Sequence, residues 1–270
     1  TKRGDEVILG DACHILMHEV GAAAVISGVQ LRQVSTVNGS MSTKEIEKMI
    51  RTEDIHYPDT GLICVENAHS SGTVIKISEM KSIYEIAQKN GLPVHLDGAR
   101  IFNAAQVLSV EVSEIAQYAD SIMFCLSKGL CAPVGSMLVG SKSFIDKARK
   151  NRKLMGGGLR QVGFLAAAGI VALDHMVPRL HKDHELAQYL AEKLMEIDGV
   201  DVLEDRLDIN MVFCKIKLKI SEEAFVERLL SNGIKINGSE DGEFRFVTNY
   251  WTPLEAVDLL VNNLKMIMEA

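Results

Sequence analysis

From Glu6 to about Gly140, short apolar runs rich in β-branched residues alternate with stretches of helical period. The apolar runs are Glu6 to Leu9, Val29 to Val34, Leu62 to Val65, Val94 to Leu96, Ser121 to Leu126 and Ser136 to Val139, each of strand length. Between two of them Met80, Ile83, Tyr84 and Ala87 recur at i, i+3, i+4 and i+7, which predicts a helix over Glu79 to Asn90 with a stop at Asn90-Gly91. Strand, helix and strand in repetition predict an α/β large domain, over residues 1–180, with a mostly parallel sheet and helices on both faces. From Gln161 to about Asp198 two long helical segments follow, broken near Val177-Pro178, and are read as the bridge between domains.

After Gly199 the pattern changes. Strands are predicted at Val200 to Leu203, Met211 to Leu218, Ile234 to Asn237 and Phe244 to Val247, with a helix from Glu222 to Asn232 and another closing the chain. In that last helix Leu254, Val257, Val261, Leu264 and Met268 form one stripe, expected to face a core. Residues 181–270 therefore read as a small C-terminal α+β domain. No repeats or low-complexity segments interrupt the pattern.

Composition narrows the class. At 270 residues the chain can bury one sizeable core and a second, smaller one. A net charge of −7 argues against nucleic acid or an anionic membrane as partner, since a basic patch is the usual footprint of either. The five cysteines (Cys13, Cys64, Cys125, Cys131, Cys214) are an odd number without a CxxC pair, which reads as reduced and structural. No apolar run approaches the roughly 20 residues of a membrane span and no signal peptide opens the chain, so the expectation is a cytoplasmic protein.

Candidate chemistry begins at Lys128, in Phe124-Cys125-Leu126-Ser127-Lys128-Gly129-Leu130-Cys131-Ala132-Pro133-Val134-Gly135-Ser136. It stands between an apolar run and a glycine turn, where an amine can be desolvated and its backbone closely approached. Thirty-one residues earlier, in His95-Leu96-Asp97-Gly98-Ala99-Arg100, Asp97 ends an apolar strand. Taken singly, Lys128 is a turn lysine and Asp97 a turn former or helix cap. Together, at ends of strands of one sheet, they are the two groups that pyridoxal phosphate most needs: an amine to attach its aldehyde and a carboxylate to face its ring nitrogen.

At these residues the chain resembles the low-specificity L-threonine aldolases, fold-type-I pyridoxal phosphate enzymes. The resemblance runs nearly end to end, through Gly4-Asp5-Glu6-Val7-Ile8-Leu9, Glu66-Asn67-Ala68-His69, the Asp97 and Lys128 blocks, Gly156-Gly157-Gly158-Leu159-Arg160-Gln161 and Arg245-Phe246-Val247-Thr248. It implies pyridoxal 5'-phosphate as cofactor, a 3-hydroxy amino acid as small-molecule substrate, and a homo-oligomer, dimer or tetramer. The implied reaction is retro-aldol cleavage of L-threonine or L-allo-threonine to glycine and acetaldehyde, a route of threonine catabolism and glycine biosynthesis. Alternatives within the fold are a β-eliminating lyase or an aminotransferase, since fold and cofactor do not fix the reaction. A catalytically impaired paralogue that keeps the fold for assembly is a further alternative.

The resemblance also distributes roles. His14 would stack on the cofactor ring, where spacing alone reads a loop histidine, and His18 departs from the aromatic often found at its position. Arg100 would meet the cofactor's phenolic oxygen, or else be a helix-start arginine in a surface ion pair. Gly156-Gly157-Gly158 and Arg160 would serve the phosphate, the arginine reaching across from a neighbouring subunit. Arg245 would grip the substrate carboxylate, against a strand-edge arginine in solvent. His69 is the side chain expected near the substrate hydroxyl, with water an equal candidate for the base.

His181 and His184 resemble a metal pair on one helix face, but no third ligand accompanies them and their face reads as solvated, so no metal is expected. Members of the family also carry a segment before the equivalent of Gly4, with a Ser-Gly-Thr turn at a helix start that holds the cofactor phosphate. This sequence opens at Thr1 without a methionine, so the large domain is expected to be N-terminally incomplete, and a polypeptide truly starting there to bind the cofactor poorly.

Overall fold

Five consecutive buried residues, Glu6–Gly10, mark a strand covered on both faces. In the computed structural model, which describes residues 1–269, this strand (β1) lies inside a six-stranded sheet. Two units divide the chain, Thr1–Pro178 and the remainder from Arg179. The first continues with α1 (His14–Met17), β2 (Gln30–Val34), the hairpin strands β3 (Thr36–Val37) and β4 (Ser40–Met41), α2 (Thr43–Met49), β5 (Thr60–Glu66) and α3 (Ile77–Lys89). Then come β6 (Val94–Asp97), α4 (Ile101–Leu108), α5 (Val112–Ala116), β7 (Ser121–Cys125), β8 (Ser136–Gly140), α6 (Lys142–Leu154) and α7 (Gly163–Val171).

The sheet order is β2-β1-β5-β6-β7-β8. The first five strands are parallel and β8 returns antiparallel to β7. From β1 the chain steps outward to β2, then back across to β5 and onward, so the winding reverses between β1 and β5. Open α/β sheets take ligands at the carboxyl ends of their strands beside such a reversal. Helix α3 forms where its period predicts, and Met80, Ile83 and Ala87 are buried. At the opposite end of the sheet Glu6 is buried on β1 but receives hydrogen bonds from Arg51 and Arg32. Burial alone would raise its pKa; those bonds outweigh it and hold the carboxyl below its usual range.

Two features of this unit were not expected. The hairpin β3–β4 turns on Asn38-Gly39, both with positive φ, as a tight primed turn requires. The helical run Gly163–Met195 contains an 18-residue window of mean hydropathy 1.3, long and apolar enough by length and composition to cross a membrane, which corrects the expectation that no run approaches such a span. Asp174 and His175 lie within the run, and its turns widen to π geometry over Ala172–Met176. Only 17% of the window is buried, so its apolar side chains face outward.

The second unit holds α8 (Leu180–Met195), β9 (Val200–Val202), β10 (Met211–Ile216), α9 (Glu222–Ser231), β11 (Phe244–Val247) and α10 (Leu254–Glu269), with an antiparallel sheet ordered β11-β10-β9. Its core joins Leu190 and Leu194 of α8, Phe225 and Leu229 of α9, and Val257, Val261 and Leu264 of α10. Leu254, expected in that stripe, is exposed at the first turn of α10. Residues 234–237 form no strand: Ile234 and Ile236 pack partly on the core, and packing without a ladder partner satisfies the alternation that suggested one.

The histidine pair was misread in one respect. Asp183 and His184 on α8 are buried, not solvated. Arg179 Nη2 donates to Asp183 Oδ1 at 2.9 Å, and burial, with His181 nearby, pushes the His184 imidazole down to about 4. Among the described residues no group of three His, Cys, Asp or Glu is placed to hold a metal.

Candidate active site

The carboxyl ends of β1, β5, β6 and β7 carry His14, Glu66 with His69, Asp97 with Arg100, and Lys128 respectively. Asp97 is the last residue of β6, buried, and its Oδ1 accepts from the Ala99 amide at 3.0 Å. The turn behind it is drawn against β7: the Gly98 amide donates to the Met123 carbonyl at 2.8 Å, and a Cβ at Gly98 would lie 2.9 Å from that same oxygen. Only glycine lets the Asp97 turn approach the strand that leads to Lys128. Arg100, half-buried, begins α4, and its carbonyl accepts from the Asn103 and Ala104 amides.

Lys128 stands half-buried in a loop closed on itself at the end of β7. The Leu126 amide donates to the Gly135 carbonyl, the Ala132 amide to Leu126, and the Cys131 amide to Lys128's own carbonyl at 2.9 Å. The loop thus has a fixed shape, at the end of the strand that lies beside the Asp97 strand. Burial, then the charge of Glu66, raise the Asp97 pKa, while the Lys128 ammonium is close enough to oppose them. A buried carboxylate, strained by a second one and facing an amine, suits a protonated ring nitrogen, so the residues present fit pyridoxal phosphate.

Glu66 is the residue that the sequence reading left without a role. In register with Asp97 across β5 and β6, it is buried and accepts from two backbone amides, His14 to Oε2 and Ser70 to Oε1, both at 2.7 Å. His69 is also buried, with Nε2 3.7 Å from Glu66 Oε2 and Nδ1 accepting from the Ser71 amide at 3.1 Å. The Ser71 hydroxyl lies 2.7 Å from the same Nδ1. Gly39 of the hairpin lies over the ring, and a Cβ there would come within 2.7 Å of His69 Cγ. The available signal was the carboxylate ending an apolar strand beside Asp97, and the Asn-Gly pair between alternating residues.

His14 is half-buried, its Nε2 3.1 Å from Glu19 and its ring centroid 5.0 Å from that of His18. Three of the cysteines are buried, and burial pushes Cys13 up to about 11 and Cys64 and Cys214 up to about 12, which makes them inert as nucleophiles.

Other candidates lie elsewhere. Gly156-Gly157-Gly158 ends α6: the Gly156 amide donates to the Lys153 carbonyl and the Gly157 amide to Arg152, so two of the three amides expected to cradle a phosphate are already used to cap the helix. Arg160 is exposed. In the second unit Arg245 stands on the outward side of β11, between inward Phe244 and Phe246, and lines a cavity of about 410 Å³ with Leu190, Ile234, Thr248 and Val257.

A family profile described as beta-eliminating lyase matches residues 1–217. The chain is 42% identical over 255 residues to low-specificity L-threonine aldolase 1 of Arabidopsis thaliana, covering 92% of this chain and 71% of that one. It is 41% identical over 242 residues to the low specificity L-threonine aldolase of Escherichia coli (strain K12), covering 88% and 70%. Among solved structures, a Leishmania major threonine aldolase superposes with a TM-score of 0.79 at 20% identity, over 98% of this chain and 78% of that one. A PLP-dependent aminotransferase from Streptococcus suis gives 0.72 at 18% identity, over 99% and 71%. At such identities the solved structures speak for the fold alone, that of the fold-type-I enzymes.

Proposed function

The chain belongs to the beta-eliminating lyase family and, within it, to the low-specificity L-threonine aldolases, and from that premise we propose how its residues cleave L-threonine or L-allo-threonine to glycine and acetaldehyde. It is a pyridoxal phosphate-dependent aldehyde-lyase. When bound, that cofactor supplies the electron sink for the carbon left behind as the Cα–Cβ bond breaks. Everything else falls to side chains.

Lys128 is the amine that would hold the cofactor by its aldehyde. Asp97 would hold a proton on the ring nitrogen, for which its burial beside Glu66 suits it. His14 would cover the face of the ring, and Arg100 would meet the phenolic oxygen. Arg245 would grip the substrate carboxylate, a task for a bidentate guanidinium. The β-hydroxyl must lose its proton as the bond breaks; His69, or a water beside it, receives that proton.

Arg160 serves the phosphate from a second copy of the chain. Support for this comes from its surroundings: Leu154 is 85% exposed, Phe164 75% and Leu159 70%, and Met137 and Leu138 of β8 are exposed as well. Exposed apolar side chains in such number are what a contact with a second copy would cover. A homo-oligomer, a dimer or a pair of dimers, covers it and brings Arg160 to another copy's cofactor.

The observation that carries the function is the placing of Asp97 and Lys128 at the ends of neighbouring parallel strands on the sheet's carboxyl edge, in a chain 42% identical to an aldolase. The test is product analysis: L-threonine given to the cofactor-loaded protein should yield acetaldehyde and glycine in equal amounts. A 2-oxo acid with ammonia would instead mean elimination, and amino transfer to an added 2-oxo acid would mean an aminotransferase.

A further inference from the structure

We propose that Glu66 is a positioning residue of this site, one buried carboxylate that fixes His14 through its backbone and sets His69 as the Nε2–H tautomer facing the reaction. The inference rests on the aldolase reading for the reaction and on geometry for the tautomer. The Ser71 amide carries a proton and points at His69 Nδ1, at 3.1 Å, which favours Nδ1 as an acceptor. A neutral ring whose Nδ1 accepts carries its own proton on Nε2. That nitrogen is turned to Glu66 Oε2 at 3.7 Å, beyond direct hydrogen-bond length and close enough for a negative charge to favour N–H there.

The Ser71 hydroxyl leaves the choice to the amide. Thr73 Oγ1 donates to the Asn38 carbonyl at 2.8 Å, and Ser71 Oγ lies between Thr73 Oγ1 at 3.0 Å and His69 Nδ1 at 2.7 Å. With the Thr73 proton on Asn38, the single Ser71 hydroxyl proton goes to Thr73 or to Nδ1 but not to both, and the β3–β4 hairpin closes over the ring at Gly39. Glu66 in turn is immobilised by the His14 and Ser70 amides and sits in register with Asp97. The ring, its tautomer and the cofactor-facing carboxylate are thus parts of one rigid unit. His69 then meets the substrate hydroxyl as a hydrogen-bond donor, not as a base, which leaves water to accept the hydroxyl proton.

The experiment is nitrogen NMR of histidine-labelled protein, cofactor-free and loaded, with His69 assigned by the signal missing from His69→Asn. Wild type should show a bare Nδ1 and a protonated Nε2 at His69 in both forms. Glu66→Gln should mix the tautomers and lower kcat for threonine on the order of ten- to a hundred-fold, the loss of one hydrogen-bonding arrangement to a charged group, with KM little changed. A protonated Nδ1 with bare Nε2 in wild type overturns the proposal outright, even if Glu66→Gln does not fold. An unaltered tautomer and kcat in a folded Glu66→Gln does the same. If the wild-type spectrum is as expected while threonine yields no acetaldehyde, the aldolase reading fails and the tautomer assignment stands.

Discussion

Two regions of the first unit, side by side in the sheet, are built on opposite terms. At the carboxyl ends of β5, β6 and β7, charged and polar side chains are buried and nearly every contact is made within the chain: Glu66 with the amides of His14 and Ser70, Asp97 with Ala99, His69 with Ser71. From β8 through α7, apolar side chains stand in solvent and no residue of α6 is buried. The first region can hold its shape alone. The second has the composition of a core without the cover, and its Arg160 has no buried setting to act in. On the reading proposed above, one active site would draw on the first region and on a surface completed by another copy.

The largest expected effect separates chemistry from scaffold. Lys128→Ala should remove the visible absorption of the bound cofactor and reduce turnover on the order of 10³-fold or more, with the fold intact by circular dichroism. A variant retaining both would take Lys128 out of the mechanism. Next comes a direct contrast of the two regions. Leu96→Ala, at a fully buried site on β6, should cost about 2–5 kcal/mol in chemical denaturation, because a cavity is left behind. Leu154→Ala on the exposed face should stay within about 0.5 kcal/mol at a dilution where the protein is monomeric. Equal costs would mean that Leu154 is packed in the single chain after all.

Arg245→Ala sharpens the comparison from outside it, since Arg245 lies in the other unit. Losing the carboxylate contact should weaken threonine binding by about 2 to 4 kcal/mol while cofactor affinity holds. Unchanged KM and kcat would remove it from the site. The smallest effect concerns His95 on β6. Burial lowers its pKa, and Asp97 and Ser121 only partly oppose this. The unfolded chain therefore takes up a proton near the ordinary imidazole value of 6.5 that the folded chain refuses. Stability should fall as pH drops through the range just below that value. His95→Asn should flatten this slope and Leu154→Ala should not; identical slopes in all three proteins would contradict the assignment.

How far the sequence foretells this arrangement obeys the same division. Strand-end residues were legible because a buried strand announces itself by apolar content, and the residues just after it fall at the carboxyl edge. Lys128, Asp97 and the alternation of strands and helices belong to this class. Glu66 was not, because its work is to accept amides 52 and 4 residues away, which only the assembled sheet brings near. The glycine triplet misled in the opposite sense: three glycines signal available amides, but two of these are spent on the end of α6. Asp183 and His184 read as solvated from their polar neighbours but are buried, in line along α8 with Leu180, Ala187 and Ala191.

Completion of the exposed face by a second copy can be tested by mixing two inactive proteins. Lys128→Ala lacks the cofactor-holding amine and Arg160→Ala the phosphate-facing guanidinium, each inactive alone for a different reason. Unfolded together and refolded as hybrids, they should recover roughly a quarter of the wild-type acetaldehyde release, the share of sites that random pairing of two copies makes whole. No recovery, from hybrids shown to form, would mean that Arg160 acts within its own chain or not at all, and would contradict the account.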